Sequence, residues 1–185
     1  MIYKAKKEFD LALLQYQKSL AISQKIGNRG YEQATLNNIA NIYSQIGLSD
    51  SAFNYFQKAL YIANKKGDKY GLSLINRNIA DIYLIKQKYD DALNTSIKAL
   101  EYSLGTGATE EVYLNYELLS RVYKQKGNYD SAYYYVKHSV LKDSVKNVKT
   151  RAEVAEIQSK YESDKKEKEN TLLKKHKPKY NIDLK

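Results

Sequence analysis

The sequence predicts an all-α solenoid of stacked helical pairs, and three observations carry that prediction. One pattern recurs every 40 residues: Ala40, Ala80 and Ser120 are followed three positions later by Tyr43, Tyr83 and Tyr123, nine further on by Ala52, Ala92 and Ala132, and seven beyond by Ala59, Ala99 and Ser139. The register extends backwards, with Tyr3, Ala12 and Ser19 one period before Tyr43, Ala52 and Ala59. Self-similarity at this length marks stacked supersecondary units. Within a unit, Leu36, Ile39, Ala40 and Tyr43 follow one another at three- and four-residue steps, the signature of a helix with one buried face. Stop and cap residues recur as well: Gly47 with Ser49 or Asp50, then Gly127 with Asn128.

The elements follow in order. The first unit is partial: Met1 falls inside its expected first helix, leaving only Met1 to Lys6, and the partner helix is expected to begin near Glu8. A start inside a helix reads as a fragment or as a reading frame begun at an internal methionine. Three 40-residue repeats then complete a solenoid over 1–142. The second unit has helices at about Glu32 to Ile46 and Ser51 to Ala63, the latter carrying Ala52, Tyr55, Phe56, Ala59 and Leu60. The third spans Tyr70 to Ser103, and the fourth Thr109 to Lys142 with Leu119, Ser120, Tyr123, Ala132, Val136 and Ser139. Small residues at the repeated points let paired helices approach closely while aromatic ones wedge between layers.

After Lys142 the periodicity changes. A long capping or connector helix is expected over 143–176, with an apolar seam at Val145, Val148, Ala152 and Ala155, joined by Val154, Ile157 and Tyr161. Charge takes over from Asp164 to Asn170, so the second half of that helix is expected to project into solvent. Residues 177–185, with the one proline, Pro178, read as a flexible tail.

Composition excludes several classes. There is no cysteine, hence no disulfide, thiolate metal site or cysteine nucleophile. No run approaches the ~18 apolar residues of a membrane span, and Met1 to Lys7 lacks a signal-peptide core. The net charge of +10 comes from 31 basic against 21 acidic residues, and five of the ten excess charges lie in 140–185. The 19 tyrosines, against three Phe and no Trp, suit thin helical layers in which a ring packs and its hydroxyl reaches the rim.

The repeated small, Tyr, Ala, aromatic, Ala pattern over residues 1–142 resembles tetratricopeptide (TPR) repeats. That resemblance implies a right-handed, TPR-type helical solenoid, here with a helix-to-helix linker longer than the usual 34-residue unit allows. Ser96 departs from it in the third unit, where an aromatic is expected, and no proline ends any second helix. The run AEIQSKYESDKKEKENTLLKK near the end is similar to the connector that follows such repeats in bacterial signalling proteins, sensor histidine kinases or helix-turn-helix regulators.

Candidate chemistry is sparse. His138 and His176 are the only histidines, and His138 has no acidic neighbour three or four residues away, so it reads as a surface residue and not a base. Gly105, Thr106 and Gly107 precede a helix but lack the third glycine, the lysine and the strand of a phosphate loop, and read as a linker. The cluster Lys174, Lys175, Lys177 and Lys179 suits a solvated tail with weak attraction for polyanions, without specific nucleic-acid recognition. No catalytic residue, metal site or cofactor is expected.

The TPR resemblance implies a concave groove lined by the first helix of each unit. Carried over by position, its residues are Asn37, Asn38, Asn41 and Gln45 in the second unit, Arg77, Asn78 and Asp81 in the third, and Glu117, Arg121 and Lys124 in the fourth. Asn38 and Asn78, one period apart, could each hold a peptide amide, and Arg77 and Arg121 a carboxylate, or the asparagines could bond neighbouring helices or water. Leu114 and Leu118 stand where a chaperone-tail clamp needs further cations, which excludes that binding mode. The expected function is a non-catalytic protein- or peptide-binding scaffold, the sensory or assembly part of a bacterial signalling protein. The alternative is a structural module that self-associates through its repeat ends or C-terminal helix. The chain reads as soluble, cytoplasmic or periplasmic in a bacterium, with its compartment open.

Overall fold

A computed structural model describes residues 2–140 and 148–176, with side chains over 8–139 and 155–172. The described residues form α1 (Ile2–Lys25), α2 (Arg29–Gln45), α3 (Ser49–Lys66), α4 (Lys69–Ile85), α5 (Tyr89–Leu104), α6 (Thr109–Gln125), α7 (Tyr129–Val140) and α8 (Val148–His176). Turns fall every 20 residues, at Gly27, Gly47, Gly67, Gln87, Gly107 and Gly127, and all six have positive φ, between 57° and 82°. The 40-residue period is therefore two half-periods with the same left-handed stop. Glycine takes that conformation without a Cβ penalty, and Gln87 is the one turn residue that bears it.

Three expectations about local structure need correction. The linkers within and between the hairpins are only two to four residues long, so the extra length over a 34-residue unit lies in helices of 16 to 18 residues. The first unit shows no break near Glu8, because Lys7 stands one period before Gly47 and the helix runs through it. The N-caps also differ from expectation at α3. Asn28, Asp68 and Asn128 accept from the N–H groups of Tyr31 (3.1 Å), Gly71 (2.9 Å) and Ser131 (3.1 Å). The α3 cap is Leu48, with no side-chain bond, and Ser49 and Asp50 lie in the first turn, where Asp50 faces the helix dipole and pairs with Lys86.

α2, α4 and α6 lie side by side and form the inner layer, while α3, α5 and α7 each pack outside on their hairpin partner and on the following inner helix. The small residues do what their spacing predicts: Ala40, Ala52, Ala59, Ala80, Ala92, Ala99 and Ala132 are fully buried where helices cross. Ser120, in the Ala40 place, donates to Ala132 O at 2.9 Å, so its hydroxyl is satisfied inside the crossing. Tyr43 stacks on Tyr55 and Tyr123 on Tyr135, both with centroids 5.4 Å apart, the same contact two periods on. Burial pushes the Tyr135 hydroxyl pKa up, and the neighbouring Tyr123, Tyr134 and Tyr116 add to it.

α8 takes the place of the next inner helix. Tyr161 stacks on Tyr133 at 4.7 Å, as Tyr83 meets Phe53 edge-on at 5.6 Å two joints earlier. Ile157 is buried among Ala132 and Val136. Lys168 reaches Asp130 at 2.5 Å, the third rung of a series in which Lys86 meets Asp50 and Lys126 meets Asp90. The packed seam is thus buried Ile157 and half-buried Tyr161, with half-buried Asp164 and exposed Lys168 further along the same side. Ala155, expected on the seam, is exposed, because the four-residue steps that put Ile157 and Tyr161 inward turn position 155 away. The helix begins at Val148, and the side chains of Val148, Ala152 and Val154 lie outside those described. So do Val145 with the rest of 143–147, the cluster Lys174, Lys175, Lys177 and Lys179, and the 177–185 tail.

Candidate partner-binding groove

The inner layer places all ten expected groove residues on α2, α4 and α6, and seven of them already have a side-chain partner. Asn78 Nδ2 donates to Asn37 Oδ1 at 3.3 Å and to Asn41 Oδ1 at 3.2 Å, tying α4 to α2. Between α4 and α6 the ties are ionic. Arg77 approaches Glu111 at 3.4 Å and Arg121 approaches Asp81 at 2.9 Å. Lys124 donates to Glu156 of α8 at 2.8 Å. Hydrogen bonds from Lys124 and then Lys160 hold the Glu156 carboxyl below its usual pKa. Every joint between successive inner helices is therefore laced at its concave edge.

This changes what individual residues can offer. Asn78 has committed its amide hydrogens and keeps only Oδ1 for a ligand. Arg77 cannot leave Glu111 without stranding a carboxylate whose side chain is only 9% exposed. Asn38, half-buried, and Gln45 and Glu117, exposed, have no side-chain partner among the described residues and keep their full hydrogen-bonding capacity. Arg121 and Lys124 remain accessible enough to exchange a carboxylate of the protein for one of a ligand.

Where α4, α6 and α8 meet lies a hollow of about 400 Å³, lined by Leu84, Ile85, Ile157, Arg121, Lys124 and Gln125. It has an aliphatic floor and two cations with an amide at its rim. Leu84, Ile85, Gln125, Glu111 and Glu156 are the residues sequence reasoning missed. Leu84 and Ile85 sit one period after Ser44 and Gln45, so position could have found them, whereas Glu111 and Glu156 act across a joint and no local pattern announces them.

The other candidates resolve into packing. His138 Nδ1 donates to Tyr134 O at 2.7 Å, and its ring lies 4.2 Å from the Tyr134 ring. Thr106 donates to Ser103 O and accepts from the Ala108 N–H, so the 105–107 segment is a bonded turn. Among the described residues, no group of three or more His, Cys, Asp or Glu is placed to hold a metal ion, and no helix is long and apolar enough to cross a membrane.

Residues 1–65 match the tetratricopeptide repeat family model. No curated protein matches the chain at a significant level. Among solved structures, BtubC (BKLC) from P. vanneervenii aligns with a TM-score of 0.75 at 16% identity, over 98% of this chain and 81% of that one. A Podosopora anserina protein assigned as a kinesin light chain, with nearly identical TPR-like repeats, aligns with a TM-score of 0.68 at 15% identity, over 90% and 85%. At such identities the likeness concerns the fold, which is an all-α solenoid of the tetratricopeptide type. Folds of this type present extended concave surfaces to protein partners.

Proposed function

We propose that the concave face captures an extended segment of a partner protein without chemistry, as the sensory or assembly part of a larger bacterial signalling protein. The observation that carries this reading is the hollow between α4, α6 and α8, on the same inner layer that carries the uncommitted amides of Asn38 and Gln45. An aliphatic side chain fits the Leu84, Ile85 and Ile157 floor, and an adjoining carboxylate can replace Asp81 on Arg121 or Glu156 on Lys124. The amides of α2 suit the backbone of the same segment. Supporting the signalling role, α8 runs on past its last described tie, Lys168 to Asp130, with Glu169 to Leu172 exposed, as a connector to a further domain would.

The test is to pan a library of unstructured peptides on the purified protein and measure the best binder by calorimetry. Asn38→Ala combined with Ile85→Asp, a change at the exposed rim of the hollow that breaks no tie between helices, is expected to weaken it at least tenfold, about 1.4 kcal/mol, with an unchanged melting temperature. Arg77 and Asn78 are unsuitable for this purpose, since truncating them would loosen the joints. Unchanged affinity in the double variant would move the site off the concave face.

A further inference from the structure

A second hollow lies away from the concave face. α1 and α3 each pack on α2 and leave between them a space of about 480 Å³. Leu36 of α2 and Ile62 of α3, both buried, floor it with the half-buried Leu20 of α1, and Tyr55 and the exposed Tyr61 stand along α3. A concave space of this size with an apolar floor is the usual form of a small-molecule site. The hollow does not depend on what precedes α1. α4 meets the inner helix before it through Asp68, Gly71 and Asn78, and one period earlier those places are Asn28, Tyr31 and Asn38. A helix ahead of α1 would therefore lie along that side of α2, not along Arg29, Glu32 and Leu36, which line the hollow.

At the next two joints the equivalent place receives a tyrosine of the chain itself. One period after Ile62 stands Tyr102, which packs on the buried cluster that contains Leu72. Two periods after Leu36 stands Tyr116, whose ring centroid lies 6.0 Å from that of Tyr135 and 5.7 Å from that of His138. Tyr135 and His138 are the equivalents of Tyr55 and Lys58. At the first joint both positions are aliphatic, Leu36 and Ile62, and neither supplies a ring. The space left there suits one aromatic ring.

The first joint also has charge where the others have none. Glu32 is 5% exposed, and Leu72 and Val112 take its place one and two periods on. Its carboxylate accepts from Gln24 Nε2 at 3.1 Å and from Arg29 Nη1 at 2.7 Å, so both oxygens are engaged and Arg29 is held at the rim. The Arg29 side chain is 68% exposed and keeps N–H donors for a second acceptor. On α3, Lys58 lies 5.1 Å from the Tyr55 ring centroid and has no carboxylate partner among the described residues. Two cations with donors to spare thus flank a hollow whose one carboxylate is satisfied, on a chain at +10. We propose that this hollow binds a free aryl carboxylate, its ring on Leu20, Leu36 and Ile62 beside the two tyrosines and its carboxylate shared by Arg29 and Lys58. The bridge of Gln24, Glu32 and Arg29 joins α1 to α2 beside the turn at 26–28 and stands across that end, which suits a free molecule and not a chain running through. No residue of this site belongs to the concave groove.

The probes are para-hydroxyphenylacetate, its amide and tyramine, which carry one ring with an anionic, a neutral and a cationic arm, each titrated into the full chain and followed by NMR. The acid is expected to bind at least tenfold more tightly than the amide, and tyramine more weakly still. Lys58→Gln should cut the preference for the acid at least threefold, and Tyr61→Ala, at a residue 64% exposed, should weaken the acid and the amide alike. Leu36→Tyr should abolish binding by putting into α2 the ring that Tyr116 provides in α6. Because Leu36 lies in the core, that variant is checked by its melting temperature, and the two surface variants carry the test if it does not fold. Equal binding of acid and amide, no binding of either at millimolar concentration, or a preference unchanged in Lys58→Gln overturns the proposal. So does tighter binding of acetyl-Tyr-Asp-amide than of the free acid, which would make a partner segment the occupant. The Asn38→Ala, Ile85→Asp variant leaves this hollow untouched and should bind para-hydroxyphenylacetate normally, so failure at the groove and failure here read out separately.

Discussion

The joint where α4 packs on α2 and α3 and the joint where α6 packs on α4 and α5 use equivalent helices in the same order, yet different chemistry holds them. The first is apolar. Leu36, Phe56, Ile62, Leu72, Ile75, Ile79 and Ile82 form one buried cluster, closed at the concave edge by the neutral Asn78 bonds. The second has a smaller cluster, Ala80, Ala92, Leu118 and Val122, and in place of further aliphatics a buried polar network. There Asn115 Nδ2 lies 3.0 Å from Ser73 Oγ, 3.1 Å from Ala99 O and 3.0 Å from Ser103 Oγ, and Ser73 itself donates to Ala99 O at 2.9 Å. Ion pairs, Arg77 with Glu111 and Arg121 with Asp81, close its edge. Apolar burial is proportional to area and tolerant of geometry, whereas a buried network stabilises only when its members are satisfied together. One backbone period thus supports a joint that resists opening and a joint that specifies alignment.

The largest expected effect lies in the apolar joint. Phe56 is 1% exposed at the centre of its cluster, and Phe56→Ala should cost about 3–5 kcal/mol through lost transfer energy and a residual cavity. Thermal unfolding followed by circular dichroism measures it. A cost near that of an exposed substitution would mean that the first joint is not the stronger one.

A smaller effect is expected at Asn115, and its pattern matters more than its size. Asn115→Ala should cost about 1–3 kcal/mol by leaving buried groups without their partner. The triple change Ser73→Ala, Ser103→Ala, Asn115→Leu should recover most of that, since it removes the network and strands nothing. Asn115 Oδ1 is already buried without a hydrogen-bond partner, which lowers what the intact network contributes. If the triple variant is less stable than Asn115→Ala, the second joint is held by its polar bonds and the contrast between the joints fails.

Much of this architecture was legible because it rests on steric demands with few solutions. Ala52, Ala92 and Ala132 must be small where helices cross, and Gly47 and Gly127 must take a left-handed turn, so the period and the stops stand out. The half-period did not, since Gln87 fills the glycine place in one of the six turns and inner and outer helices share little but their length. The seam of α8 was legible in part. Ile157 and Tyr161, which the sequence adds to that seam, do pack on α7, whereas Ala155 is exposed, because the four-residue step from 157 to 161 turns position 155 away. For the groove, position indicated which residues line the inner layer but not which had spent their bonds. Glu111 and Glu156 sit on the next helix along, and pairing across a joint is set by packing between units and not by the pattern within one.

The smallest effect tests whether the apolar joint carries any dependence on pH. Asp68 caps α4 and bridges to α2: its carboxylate accepts from the Gly71 N–H at 2.9 Å and from Gln33 Nε2 at 2.6 Å. Partial burial by itself would raise its pKa, but the Gly71 and Gln33 bonds and the nearby Lys66 outweigh that and hold it below the usual carboxylate value. A carboxyl depressed in the folded chain stabilises it fully above the unfolded pKa of about 3.9, and loses that contribution as the pH falls through the lower folded value. Asp68→Asn should therefore flatten the acid limb of a plot of melting temperature against pH below about 4, while changing little near neutrality. Asparagine keeps the cap to Gly71, and its amide can donate to Gln33 Oε1, which is buried and unpaired in the native chain, once the Gln33 amide rotates by half a turn. Gly71 is what makes the bridge possible, since a Cβ there would overlap both the Gln33 amide and the Asp68 carboxylate. An unaltered acid limb in Asp68→Asn would place the acid sensitivity of this joint elsewhere, with Asp50, whose carboxyl Lys86 holds below its usual pKa across the same joint, the next group to test.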